Sequence, residues 1–153
     1  FPLPEAQLDR FLLKILVDYP KYEDEIEIVN RYTQSVMPTV GKVVNKKTLL
    51  DLQKLTRDMP VADDIKNRAI KIVMTTRIKS EFIEYGASPR ASIGLILAAK
   101  ARALIKGRNF VSNEDIDAMA YPVLRHRMIL TFESERKGIT TDQVIRSILE
   151  KTK

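Results

Sequence analysis

The sequence predicts a mainly α-helical fold, a helical bundle with a short α/β segment at its N-terminal end. Three observations predict it. Beyond Pro20, apolar residues recur three and four positions apart in segment after segment, the spacing that lines one face of a helix. The stretch between Ser88 and Gly107 is apolar on more than one face, as the central helix of a bundle must be. Leu12 to Val17 is a nearly continuous apolar run and reads as a strand buried on both faces of a parallel sheet.

The elements follow in order. A proline entry, Pro2 and Pro4, leads into a short helix over Glu5 to Phe11, then the strand Leu12 to Val17, then a stop at Tyr19-Pro20. Other strand-like pieces are short, Val40 to Val44 and Met128 to Leu130, so most of the sheet is expected to be encoded upstream of Phe1. Glu23-Asp24-Glu25 opens a helix that ends near Gln34, acidic at its start and with Arg31 late, as the helix dipole favours. Asn45 caps the next, which carries a stripe of Leu49, Leu50, Leu52 and Leu55 and stops at Met59-Pro60. A third helix spans Asp63 to Lys79, with Ile65, Ala69, Ile72, Val73 and Thr76 on one face. The fourth is the best bounded: Ser88 caps it, Pro89 takes its first position and Gly107 its left-handed end. Ser112 with Asp115, and Thr140 with Gln143, resemble capping boxes for two more helices, the last burying Val144, Ile145, Ile148 and Leu149.

Composition excludes several chemistries. With no cysteine there are no disulfides, thiolate metal sites or cysteine nucleophiles, and one histidine, His126, excludes multi-histidine metal sites. No apolar run approaches the length of a membrane span, no signal-peptide pattern is present, and a cytoplasmic location is expected. The 26 basic against 20 acidic residues give a net charge of +6, which permits an anionic partner without naming one. The first residue is not methionine, and the chain reads as a piece of something longer, with a seam near Pro20: residues 1–20 as the end of an α/β core and 21–153 as a helical domain.

No phosphate-binding loop, nucleophile elbow, zinc-protease or EF-hand pattern occurs. Asp63-Asp64 and Glu114-Asp115 lie at helix starts, where they complement the dipole, and His126 between Arg125 and Arg127 has no partner that would make it catalytic. Arg90 is different, because a cation in the first turn of a helix opposes the dipole. Either it joins the helix amides in an anion site, or its head meets an acidic neighbour. Arg10 stands near a helix end beside the apolar run, where a cation is favourable in itself or is held out for a ligand.

Taken together, Leu3-Pro4-Glu5-Ala6-Gln7-Leu8-Asp9-Arg10-Phe11, Asp18-Tyr19-Pro20, Gly86-Ala87-Ser88-Pro89-Arg90-Ala91 and Val123-Leu124-Arg125-His126-Arg127 resemble the C-terminal portion of MoxR-type AAA+ ATPases, in order and over nearly the whole chain. The resemblance implies a helical lid following an upstream nucleotide-binding core of the same polypeptide, and a homo-oligomeric ring that hydrolyses ATP with Mg2+ and remodels an unknown client protein. It places Arg10 at the arginine finger, reaching the nucleotide of the adjacent subunit, and Arg90 at sensor 2, on the phosphates of its own subunit's ATP. The family's phosphate-binding loop, its magnesium-binding acidic motif and its sensor-1 residue precede the part represented here, so this chain alone is expected to be inactive and to hold no metal. The alternative is a stand-alone basic helical module that binds nucleic acid, drawing on Lys66, Arg68, Lys71, Arg77, Lys79, Arg102, Lys106 and Arg108. Acidic residues interleave with these cations and no recognition helix stands out, so nucleic acid is not an expected partner.

Overall fold

A computed structural model of the chain describes residues 3–36 and 39–152. The described residues form eight helices and one two-stranded sheet, a mainly α fold as the sequence implies. They divide into two compact units, one of residues up to 14 together with those from 54 onward, the other of residues 15–53.

The larger unit contains α1 (Glu5–Leu8), the end of α3 (Lys46–Asp58), α4 (Asp63–Thr75), β1 (Ile83–Tyr85), α5 (Pro89–Ile105), α6 (Asn113–Leu124), β2 (Ile129–Leu130), α7 (Phe132–Arg136) and α8 (Thr141–Lys151). Helix α5 is central, packed against α4 and α6, and α8 closes on both of these. Its buried face is mostly small, with Ala91, Gly94, Ala98, Ala99 and Ala103, so its neighbours come close. Leu95, Ile72, Ile116, Leu124 and Ile145 fill the space between them, each contributing about 2 kcal/mol by leaving water.

The helix ends match their local signals. Ser88 caps α5 by accepting the Arg90 N–H, and Gly107 and Gly138 adopt φ +72°, a left-handed conformation open to glycine. Both capping boxes form. Helix α4 stops a turn short of Lys79, because Thr76 and Arg77 turn back in three-residue bonds to Val73 and Met74 and the Thr76 hydroxyl donates to the Val73 carbonyl.

Two strand expectations need correction. Leu12 to Val17 forms no strand, and Val40 to Val44 has no regular structure, with Val40 96% exposed. A strand needs a ladder partner, and the described residues offer neither run one. The expectation at Met128 to Leu130 becomes β2, which pairs antiparallel with β1, Ile83 opposite Leu130. Strand β1 has three residues, too few to display an alternation in the sequence.

The smaller unit holds α2 (Tyr22–Tyr32) and the first turns of α3. Asn45 Oδ1 accepts the Thr48 N–H and caps α3 as expected. The leucine stripe of α3, Leu49, Leu50, Leu52 and Leu55, is exposed.

Candidate functional site

The entry to α5 is built on the end of α4. A Cβ at Gly86 would stand 2.4 Å from the Thr76 carbonyl oxygen, so a residue without a side chain is required there. Ala87 is buried, its N–H donating to Thr76 Oγ1 (3.0 Å) and its carbonyl accepting from Arg77 Nε (2.7 Å). Ser88 then caps, Pro89 occupies the first position and Arg90 follows. Gly86→Ala should lower stability by about 1–3 kcal/mol, because the contact is with rigid backbone. A thermal melt of this chain checks it, and an unchanged midpoint would contradict the packing described.

What faces that helix start is Asp9. Its carboxylate accepts from the Ser88 hydroxyl at 2.9 and 3.0 Å and from Arg127 Nε at 3.2 Å, and the Arg90 guanidinium lies 4.0 Å away. The anion that complements the start of α5 is therefore a carboxylate of the chain itself, and it offsets the unfavourable placing of Arg90. The N–H groups of Arg90 and Ala91 are both taken by Ser88, so a phosphate here would meet the guanidinium rather than helix amides. Arg90 is suited to that, its side chain being 57% exposed and able to present two donors to phosphate oxygens.

Arg10 directly follows Asp9 and is exposed. Its position is held through the backbone. Arg127, with 3% of its side chain exposed, donates to the carbonyls of Asp9, Phe11 and Leu12, and His126 Nε2 donates to the Phe11 carbonyl at 2.8 Å. The Lys14 N–H donates to the Pro122 carbonyl at 2.7 Å, and Arg127 bonds the Val123 carbonyl, so the same contacts satisfy carbonyls left over at the end of α6. Leu12 lies over Gly94, where a Cβ would come within 3.3 Å of it. Burial pushes the His126 imidazole below its usual pKa, with Arg127 and Lys14 acting the same way against the Phe11 bond. The contact itself needs only a proton on Nε2, and burial with the two neighbouring cations is what favours the neutral ring.

The structure thus sets Arg90 4.0 Å from the carboxylate of the residue that precedes Arg10. Sequence reading did not single out Asp9, and it took Ser88 only as a cap. The available signal was local: an acid next to Arg10, and an Arg-His-Arg run with no acidic partner nearby in sequence.

Known proteins resemble this chain in sequence and fold. Residues 75–148 match the AAA lid domain family. The chain is 38% identical to chaperone MoxR1 of Mycobacterium tuberculosis over 98% of its own length and 42% of that protein. It is 36% identical to the uncharacterised protein YeaC of Bacillus subtilis over 100% of its length and 48% of that protein. The chain belongs to the MoxR-type AAA+ family. A crystal structure of a candidate ATPase from Cytophaga hutchinsonii superposes with a TM-score of 0.92 at 37% identity, covering 98% of this chain and 48% of that one. The chain spans about half the length of the Mycobacterium and Bacillus relatives.

Within this MoxR-type lid, most cations of the nucleic-acid alternative have structural partners. Arg102 and Arg108 both pair with Asp115, which is fully buried, and Arg102 also reaches Glu114. Burial would raise the Asp115 pKa, but the bonds from Arg108, Ser112 and Arg102 outweigh it and hold the carboxyl well below its usual range. Arg68 bonds Asp117 (2.6 Å) and Asn113, Lys66 bonds Asp63, and Arg77 bonds the Ala87 carbonyl. No group of acidic and histidine side chains that could hold a metal occurs among the described residues, and no helix there is long and apolar enough to cross a membrane.

Proposed function

We propose that this chain carries the lid of an ATP-hydrolysing MoxR-type subunit, with Arg90 addressing the phosphates of its own subunit's ATP and Arg10 those of the next subunit in a ring. One observation supports this above others: an exposed arginine at the start of α5 and a second beside Asp9 are fixed to the same frame, each with its guanidinium available. Residues 1–20 then close an α/β core and residues 21–153 form the lid. ATP with Mg2+ supplies the transferable phosphoryl group, and both are held chiefly by the upstream core. Guanidinium groups at these positions stabilise charge on the phosphate oxygens, and they do so only when lid and neighbour are in place, so hydrolysis is tied to motion. A cytoplasmic, chaperone-like ring that remodels client proteins is the matching role, in line with the name of the Mycobacterium relative.

The test is the native gene product that contains this chain. A subunit on the order of 300 residues, two ordinary domains, is expected to turn over ATP. Arg90→Ala should raise its KM for ATP about ten- to a hundredfold, the worth of a charged hydrogen bond. A native product of only 17.5 kDa without turnover would contradict the reading, and duplex binding that weakens steeply with salt would favour the basic module instead.

A further inference from the structure

The contacts of Asp9 are unequal, and the inequality has a functional meaning. Ser88 and Arg127 bond its carboxylate at 2.9 to 3.2 Å, and Arg127 is buried. Arg90 is the loose member, 4.0 Å away and mostly in water, so it can leave without stranding the carboxylate. A phosphate oxygen and Asp9 are two anions competing for one guanidinium. Asp9 is also joined through a single peptide bond to Arg10.

We propose that Asp9 is a positioning residue that couples the two arginines: it pairs with Arg90 when no phosphate is within reach, and when Arg90 departs, its remaining bonds to Ser88 and Arg127 set the placement of Arg10. A subunit's own nucleotide thereby governs what it offers to its neighbour. This rests on the ATPase reading above.

Asp9→Asn in the full-length ATPase preserves size and an acceptor for Ser88 while removing the charge that attracts Arg90. ATP affinity should tighten about two- to fivefold, the worth of an exposed ion pair. Turnover should fall about ten- to a hundredfold as Arg10 loses its register, and the Hill coefficient for ATP should move toward one. Tighter binding with slower turnover is a split that a merely damaged fold does not give. Asp9→Glu keeps the charge on a longer arm, so its ATP affinity should be no tighter than that of the unaltered protein; it carries the test alone if the asparagine variant does not fold. Unchanged affinity and Hill coefficient in Asp9→Asn, affinity and turnover falling together, or tighter ATP binding in Asp9→Glu would overturn the coupling. Arg10→Ala and Arg90→Ala run beside them: full turnover in both removes the ATPase reading and the coupling with it, whereas loss of turnover in both while Asp9→Asn behaves as the unaltered protein removes the coupling alone.

Discussion

Arg10→Ala in the full-length ring is expected to lower ATP turnover about a thousandfold, the lower end of what an arginine finger contributes. The substitution is clean. Arg10 is exposed, and the segment around it is held by Arg127 and His126 through backbone carbonyls that alanine retains. Stability should therefore change by less than about 0.5 kcal/mol, as for an ordinary surface site. Nucleotide affinity should also be nearly unaffected, because in this account Arg10 serves the neighbour's site. Steady-state phosphate release with a parallel nucleotide titration measures both, and turnover within threefold of the unaltered protein would show that Arg10 has no such role.

Asp115→Asn is expected to destabilise the fold strongly. Its carboxylate is fully buried, accepts from Arg102 and Arg108, and bonds both the N–H and the hydroxyl of Ser112 in the capping box. Removing one member of a buried ionic cluster leaves its partners poorly satisfied; since both arginines keep some exposure, the loss should be about 2–4 kcal/mol. The pH dependence fixes the sign. A carboxyl whose folded pKa lies below its unfolded value of about 3.9 adds stability above that value and loses it progressively as pH falls toward the folded one. Thermal melts of this chain and of Asp115→Asn should therefore differ widely at neutral pH and converge in acid. A gap that does not narrow would mean that the charge of Asp115 is not what stabilises α6.

How much was legible in the sequence follows the range of the interactions. Helix α5 was readable at both ends because its cap, its proline and its closing glycine are local signals, and the same holds for the boxes at Ser112 and Thr140. The run Leu12 to Val17 announces apolar surface but cannot announce whether a sheet lies beside it, and among the described residues none does. Glu114-Asp115 was legible as a helix start, as the first turn of α6 confirms, but not as the anchor of Arg102 and Arg108, which had been counted with a basic face. At the candidate site, Arg90 stands out as a cation in the first turn of a helix and Arg10 by its place at a helix end beside an apolar run, and the motif resemblance supplies their roles. Asp9 was hidden because its partners Ser88 and Arg127 lie 79 and 118 residues away.

The measurement that tests the account most directly is ATP turnover in mixed rings of full-length Arg10→Ala and Arg90→Ala subunits, at an ATP concentration well below the raised KM of Arg90→Ala, where each variant alone is nearly inactive. Where an Arg10→Ala subunit, its own Arg90 intact, receives Arg10 from an Arg90→Ala neighbour, the site is complete; random mixing in equal parts restores about a quarter of full turnover through this head-to-tail interface. Recovery near that level is the predicted result. Co-assembled rings that stay inactive would contradict the assignment of one arginine to each side of the interface.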